Sequence, residues 1–320
     1  MMLKRNINIE LARVLFMIGI CATHAVFQGG LAKPWWSCLL NVNIGAFVFL
    51  SGWFGIRFSW YKILRLLATG AYATVVAFAG NIILTGQMDW HYLRLFKWHW
   101  FLWTYLGLMM LAPMLDIMVE QSSNAAILLL AMAFGWGFSF HLPIIGSFLG
   151  TFPGLANNGI VSFMGIYAAA RLLRKYDGWV LSRGDRGGLY AVVVGGIGVL
   201  LTRYGGTASP FSFLVGAGAV MMARKINMPN AASKVISWLS PSLFSIYLIH
   251  SNSLGFSIIK KIEITMLDYG YNTMIIYGVV TIILFLGSLI CDVPRRMAIS
   301  LANIFVNKKS EQGNCGNMMS

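Results

Sequence analysis

Ile7-Asn8-Ile9-Glu10-Leu11-Ala12-Arg13-Val14-Leu15-Phe16-Met17-Ile18-Gly19-Ile20-Cys21-Ala22-Thr23-His24-Ala25-Val26-Phe27 is an apolar run of membrane length that carries three groups lipid does not tolerate. About twenty apolar residues suffice for a helix to cross a bilayer core. An ionisable side chain within such a helix costs of order 2.5–3.5 kcal/mol even on insertion scales, so Glu10, Arg13 and His24 each need a reason. Arg13 and His24 are eleven residues apart, which at about 100° per residue returns to nearly the same face, roughly 16 Å along the axis. Glu10, Arg13, Met17, Cys21, His24 and Gln28 thus form one stripe. It must face a protein interior or a watery cavity, because the bilayer core offers no polar partner. Two readings fit: a Glu10–Arg13 ion pair with a core histidine bonded to a backbone carbonyl, or a base and a cation at opposite ends of a cavity.

The rest of the chain repeats the apolar theme. Of 320 residues 58% are hydrophobic and 11% charged, well outside the balance of a soluble globular protein. Apolar spans fall near 7–27, 38–57, 64–85, 100–118, 125–141, 155–173, 189–203, 209–223, 237–258 and 273–293. The expectation is an all-α membrane protein of about ten transmembrane helices, with one membrane domain over 1–306 and a polar, disordered cytoplasmic tail over 307–320. Glu10 and Arg13 interrupt the first apolar stretch, which favours a retained first helix over a cleaved signal peptide. Glycine-rich stretches, Val192 to Leu201 and Val215 to Val220, read first as close helix packing.

Lys and Arg outnumber Asp and Glu by 24 to 10. The excess sits in short loops, as orientation signals do, and so argues for membrane topology rather than a nucleic-acid surface. With alternate loops on opposite faces, seventeen of the cations fall on one side and six on the other. Both termini are therefore expected in the cytoplasm, with the protein multi-pass in the plasma (inner) membrane. Cys21, Cys38, Cys291 and Cys315 show no metal or disulfide spacing.

Beyond the first span, Arg57, Lys62 and Arg65 gather at the cytoplasmic ends of the second and third spans. They either neutralise a phosphorylated ligand or obey the topology rule. The segment His91, Arg94, Lys97, Trp98, His99, Trp100 and the run Ser245-Ile246-Tyr247-Leu248-Ile249-His250 fall on the outer side. His24, His99 and His250 share that outer level, but no ligand pair of metalloenzyme type and few acidic partners accompany them, so no metal is expected. An imidazole is also the side chain best suited to take a proton from a hydroxyl near neutral pH.

Arg13, ten intervening residues and His24 resemble the signature of acyltransferase family 3, integral-membrane acyltransferases that modify bacterial cell-surface polysaccharides. Ser51-Gly52-Trp53 is similar to the family's Ser-Gly-Tyr, with Trp53 in place of Tyr. Lys62-Ile63-Leu64-Arg65-Leu66-Leu67 resembles its basic opening of the third helix, although Ala68 stands where a proline often follows. Trp98 to Trp103 with Pro113, and Ser245 to His250, resemble two further motifs in the same order. Many relatives bear a soluble C-terminal domain; none is expected here.

The resemblance implies O-acetylation: transfer of an acyl group, usually acetyl, from acetyl-CoA on the cytoplasmic side to a hydroxyl of a glycan or lipid-linked sugar outside. Acyl-CoA is then a donor substrate, and no permanently bound cofactor is expected. The resemblance makes His24 the general base, Arg13 a group that binds or orients the donor, and Arg57, Lys62 and Arg65 candidates for the CoA phosphates. Ser51, Trp53, His99, Trp100, Tyr247 and His250 are candidates on the substrate side. Proteins of polysaccharide biosynthesis are possible partners. A polytopic transporter or flippase for a glycan-related solute is the alternative, and a silent subunit of an export complex a third reading.

Overall fold

The computed structural model describes residues 6–93, 99–131, 159–178, 184–202 and 209–317. Lys4, Arg5, Arg94, Lys97, Trp98, Arg183, Arg203 and most of the expected span 125–141 lie outside the described residues. The α-helices among the described residues are, in order, α1 Ile7–Gln28, α2 Val42–Phe54, α3 Trp60–Thr85, α4 Trp100–Gln121, α5 Asn124–Ala131, α6 Ile160–Lys175, α7 Gly184–Thr202, α8 Pro210–Ala223, α9 Asn230–Leu239, α10 Leu243–His250, α11 Ser253–Asp268 and α12 Thr273–Asn317. No strand occurs among the described residues.

Among the described residues six segments are long and apolar enough to cross a bilayer: α1, Ser37–Phe54, α3, α4, Asn230–His250 and Thr273–Leu301. Two shorter apolar helices, Arg186–Thr202 and Pro210–Ala223, accompany them. The expected span 237–258 is corrected, because the helix ends at His250 and restarts as α11 at Ser253. The Asn252 side chain accepts the Gly255 N–H at 3.0 Å, an N-cap that ends one helix and begins the next. α12 runs on as helix to Asn317, across most of the segment read as a polar tail.

α1 starts where Asn6 accepts the Asn8 N–H at 3.0 Å, with Glu10 in the first turn complementing the helix dipole. It is the hub of the bundle, packed against α2, α8, α9, α10, α11 and α12. Its stripe therefore faces protein: Glu10, Met17, Cys21 and His24 are all buried, while Leu15 and Ile18 on other faces are exposed.

Small residues set the other close contacts. α7 and α8 meet through Gly188 and Gly218, where a Cβ on Gly218 would come within 2.5 Å of the Gly188 carbonyl. The glycine-rich stretches are packing surfaces, as their composition suggests. Gly52 does the same for α2 and α6: a Cβ there would stand 2.8 Å from Ala170 Cβ and 3.0 Å from Tyr167 Cα. That close approach fixes where Trp53, the next residue, is presented.

Candidate active site

The outer end of α1 carries an aromatic cluster with buried polar atoms inside it. The His24 ring lies 5.0 Å from the His250 ring, 5.9 Å from Tyr247 and 5.6 Å from Phe256, centroid to centroid. The break after His250 brings Phe256 here. Gly255 sits so close to the His250 carbonyl, 2.1 Å from where a Cβ would be, that the chain can double back only on a residue without one. Cys21, one turn before His24, places Sγ 4.0 Å from His250 Nδ1.

His250 is anchored by its own helix, with Nδ1 2.6 Å from the Ile246 carbonyl oxygen. A carbonyl only accepts, so Nδ1 carries the proton and Nε2 holds the lone pair. Among the described residues, His250 Nε2, His24 Nδ1 and Ser245 Oγ are buried without a hydrogen-bond partner. A buried polar atom left in that state costs about 1–3 kcal/mol. Two imidazoles side by side, one with its tautomer fixed, form an arrangement able to accept a proton from a hydroxyl brought between aromatic walls.

Of the three histidines that share a level in the sequence, His24 and His250 converge and His99 does not. His99 is buried at the start of α4 and turns Nε2 to the Thr74 hydroxyl of α3 at 3.3 Å. Thr74 donates in turn to the Gly70 carbonyl at 2.9 Å, so His99 Nε2 is the donor between them. Trp100 packs on Phe101 and Phe163 with part of its surface exposed, and the Phe101 ring lies tilted 4.8 Å from that of Tyr247. Among the described residues no three His, Cys, Asp or Glu side chains gather as metal ligands.

Arg13 stands at the other end of the stripe. Its Nη1 donates to both Glu10 oxygens at 3.3 and 3.2 Å, and the guanidinium lies 5.4 Å from the centre of the Phe47 ring. Of the plain structural reading, the ion pair is present, but the carbonyl-bonded imidazole is that of His250. Between Arg13 and His24 the stripe passes Met17 and Cys21, which are 1% and 0% exposed.

Arg57, Lys62 and Arg65 are exposed, with Lys62 Nζ donating to the Arg57 carbonyl at 3.3 Å. Ser51 bonds back to the Phe47 carbonyl at 3.4 Å. Trp53 is 1% exposed and lies at the Arg13 end of the bundle, not beside His24. It instead borders a cavity of about 220 Å³ with Asn6, Ile9, Phe54, Arg171, Arg174 and Arg224.

Arg171, Arg174 and Arg224 were legible only as orientation charges, since each ends a span. The structure brings them together: Arg171 Nε donates to Asp116 at 2.8 Å, Arg174 to Asp177 at 2.9 Å, and Arg224 pairs with Asp177 through both its terminal nitrogens. Tyr167 completes the frame, donating its hydroxyl to Asp116 at 2.9 Å and accepting the Ile56 N–H at 3.1 Å. Glu263 was also missed. Fully buried on α11, it accepts the Gly30 N–H at 2.9 Å and ties down the chain leaving α1; burial pushes its carboxyl above the usual range.

Comparison with known proteins agrees with the family that the sequence resembles. A family model described as an acyltransferase domain, that of acyltransferase family 3, matches residues 6–293. Comparisons with curated proteins and with solved structures give no match. The matched stretch opens at the Asn6 cap of α1 and closes inside α12, so it takes in both ends of the polar stripe and all the helices that enclose it. The chain belongs to acyltransferase family 3, as a multi-pass membrane acyltransferase.

Proposed function

We propose that the protein is a plasma-membrane O-acyltransferase that moves an acyl group, acetyl in the first instance, from acyl-CoA to a hydroxyl of a cell-surface or lipid-linked glycan. The donor approaches the face where α1 begins, and the acceptor the face where it ends. This reading keeps ten spans with both termini in the cytoplasm, in line with the bias of Lys and Arg toward one side.

The observation that carries the reading is the pair of imidazoles at 5.0 Å with unpartnered nitrogens in an otherwise packed interior. His24 takes the proton of the sugar hydroxyl as its oxygen bonds to the thioester carbonyl carbon. The C–S bond breaks, and the proton passes from the imidazolium to the leaving thiolate, giving an ester and free CoA. Tyr247 and His250 share the cluster and hold the acceptor, with Trp100 adjoining through Phe101 and His99 at the start of the same helix. Arg13, steadied by Glu10 and Phe47, orients the donor along α1, and the Met17–Cys21 layer parts as the thioester passes. The exposed Arg57, Lys62 and Arg65 draw the anionic donor toward this face, where Ser51 and Trp53 close the end of α2.

The test is transfer of label from acetyl-CoA to a glycan acceptor by the purified protein in lipid nanodiscs. His24→Ala should abolish transfer while leaving the thermal unfolding midpoint unchanged. Transfer that persists in a folded His24→Ala protein removes the mechanism.

A further inference from the structure

The exposed trio on the α2–α3 side is not the best-built anion site on this face. We propose that the phosphates of the acyl donor seat in the arginine cage formed by Arg174 and Arg224 over Trp53, and that Asp177 is a resident carboxylate that holds the cage until the donor displaces it. The proposal rests on the acyltransferase reading and names the phosphate subsite for that same donor.

Three observations carry it. Both guanidiniums are held over the Trp53 indole, 5.2 and 5.0 Å from its centre, which fixes two planar forks side by side. Planar forks suit bidentate bonding to phosphate oxygens. They border an open cavity of about 220 Å³ whose wall includes Asn6 and Ile9, so the cage opens beside the first turn of α1, one turn before Arg13. An anion seated there lies at the start of the stripe that ends at His24.

The third observation is the unequal way the two carboxylates of the region are held. Asp116 takes hydrogen bonds from Tyr167 and Arg171, and Tyr167 also receives the Ile56 N–H, so Asp116 is built into the joint between α2, α4 and α6. Asp177 bonds only the two cage arginines among the described residues. It stands just past the turn at Tyr176 that ends α6, at the start of a further helical stretch, and its side chain can swing away by rotation about its own bonds without disturbing α6. A phosphate carries at least the charge of a carboxylate and more acceptor oxygens, so it can take over the same donors. Arg171, fastened to Asp116, stays as the third wall.

The experiment is titration of the full chain in nanodiscs with CoA by isothermal calorimetry, with inorganic pyrophosphate as competitor. Arg224→Ala and Arg174→Ala should each weaken CoA by about tenfold or more, as expected when one partner of a half-buried charge contact is removed. Arg224→Lys keeps the charge but loses the fork, and serves if the alanine variant fails to fold. Asp177→Asn should tighten CoA by about three- to tenfold, because the resident competitor loses its charge. An Asp177→Asn protein that is less heat-stable and binds CoA no better makes Asp177 a structural clamp and overturns the proposal. So does loss of CoA binding on removing Arg57, Lys62 and Arg65 together while the cage variants bind normally, a result that leaves acyl transfer standing. Wild-type protein that binds no CoA defeats the acyltransferase reading itself, and this inference with it.

Discussion

Where α1 begins, the inward-facing charges are paired. Arg13 has Glu10, Arg171 has Asp116, and Arg174 and Arg224 share Asp177. Toward its far end, roughly 16 Å beyond Arg13 along the helix, His24 Nδ1, His250 Nε2 and Ser245 Oγ are buried without partners among the described residues. The first region holds its geometry by charge and opens onto a cavity; the second is closed, neutral in composition and unsatisfied. Paired charges resist rearrangement, because removing one partner strands the other. Unsatisfied buried atoms lower stability in the empty protein, and such groups in a native structure call for a functional account. The contrast assigns holding to one end of the helix and chemistry to the other.

The largest expected effect breaks the chemical end. Loss of the His24 imidazole should lower acyl transfer by about 10²–10⁴-fold, the range a positioned general base supplies, read as label in the glycan at saturating donor. His250→Ala should follow with a loss of about tenfold or more, since it deletes the lone pair beside His24. His250→Gln, which can still reach the Ile246 carbonyl, should recover part of that loss. Recovery to wild-type rates would show that the His250 ring nitrogen does not act on the acceptor.

Smaller effects test the holding end. Gly52→Ala forces a methyl against Ala170 and the Tyr167 backbone and should cost about 1–3 kcal/mol of stability, as overpacking does. Its thermal midpoint should fall, and donor affinity with it, because Trp53 shifts. Arg65→Ala should leave kcat untouched and mainly reduce the salt dependence of the donor on-rate, the signature of a steering charge. A change in kcat on losing Arg65 would bring the exposed trio into the reaction and blur the division between the two ends.

Much of the chemical end was legible before any coordinates. The eleven-residue interval from Arg13 to His24 dictates a shared face, and burial of Glu10, Met17, Cys21 and His24 agrees with it. The run ending in His250 was a candidate by residue type, but that its ring lies against His24 depends on the fold-back after His250. A hydropathy window averages across Ser251 and Asn252, so 237–258 read as one span although Asn252 caps a new helix. The holding end was harder. Arg171 and Arg174 lie one turn apart, yet Arg224 comes fifty residues later, and spacing along the chain says nothing about convergence across helices. Each was already accounted for by membrane topology, which explains any cation at the end of a span and so hides those that do more. Ser51-Gly52-Trp53 was read through its family resemblance, with Ser51 and Trp53 as the candidates, while the contact at Gly52 gives the motif its place.

The division of labour along α1 is tested most directly by steady-state kinetics that separate kcat from the donor KM in two variants of the full chain. For His24→Asn the account predicts collapse of kcat with the donor KM little changed, and for Arg224→Ala a raised donor KM with kcat largely kept. A His24→Asn enzyme that turns over at the wild-type rate and shows only a raised donor KM would contradict it.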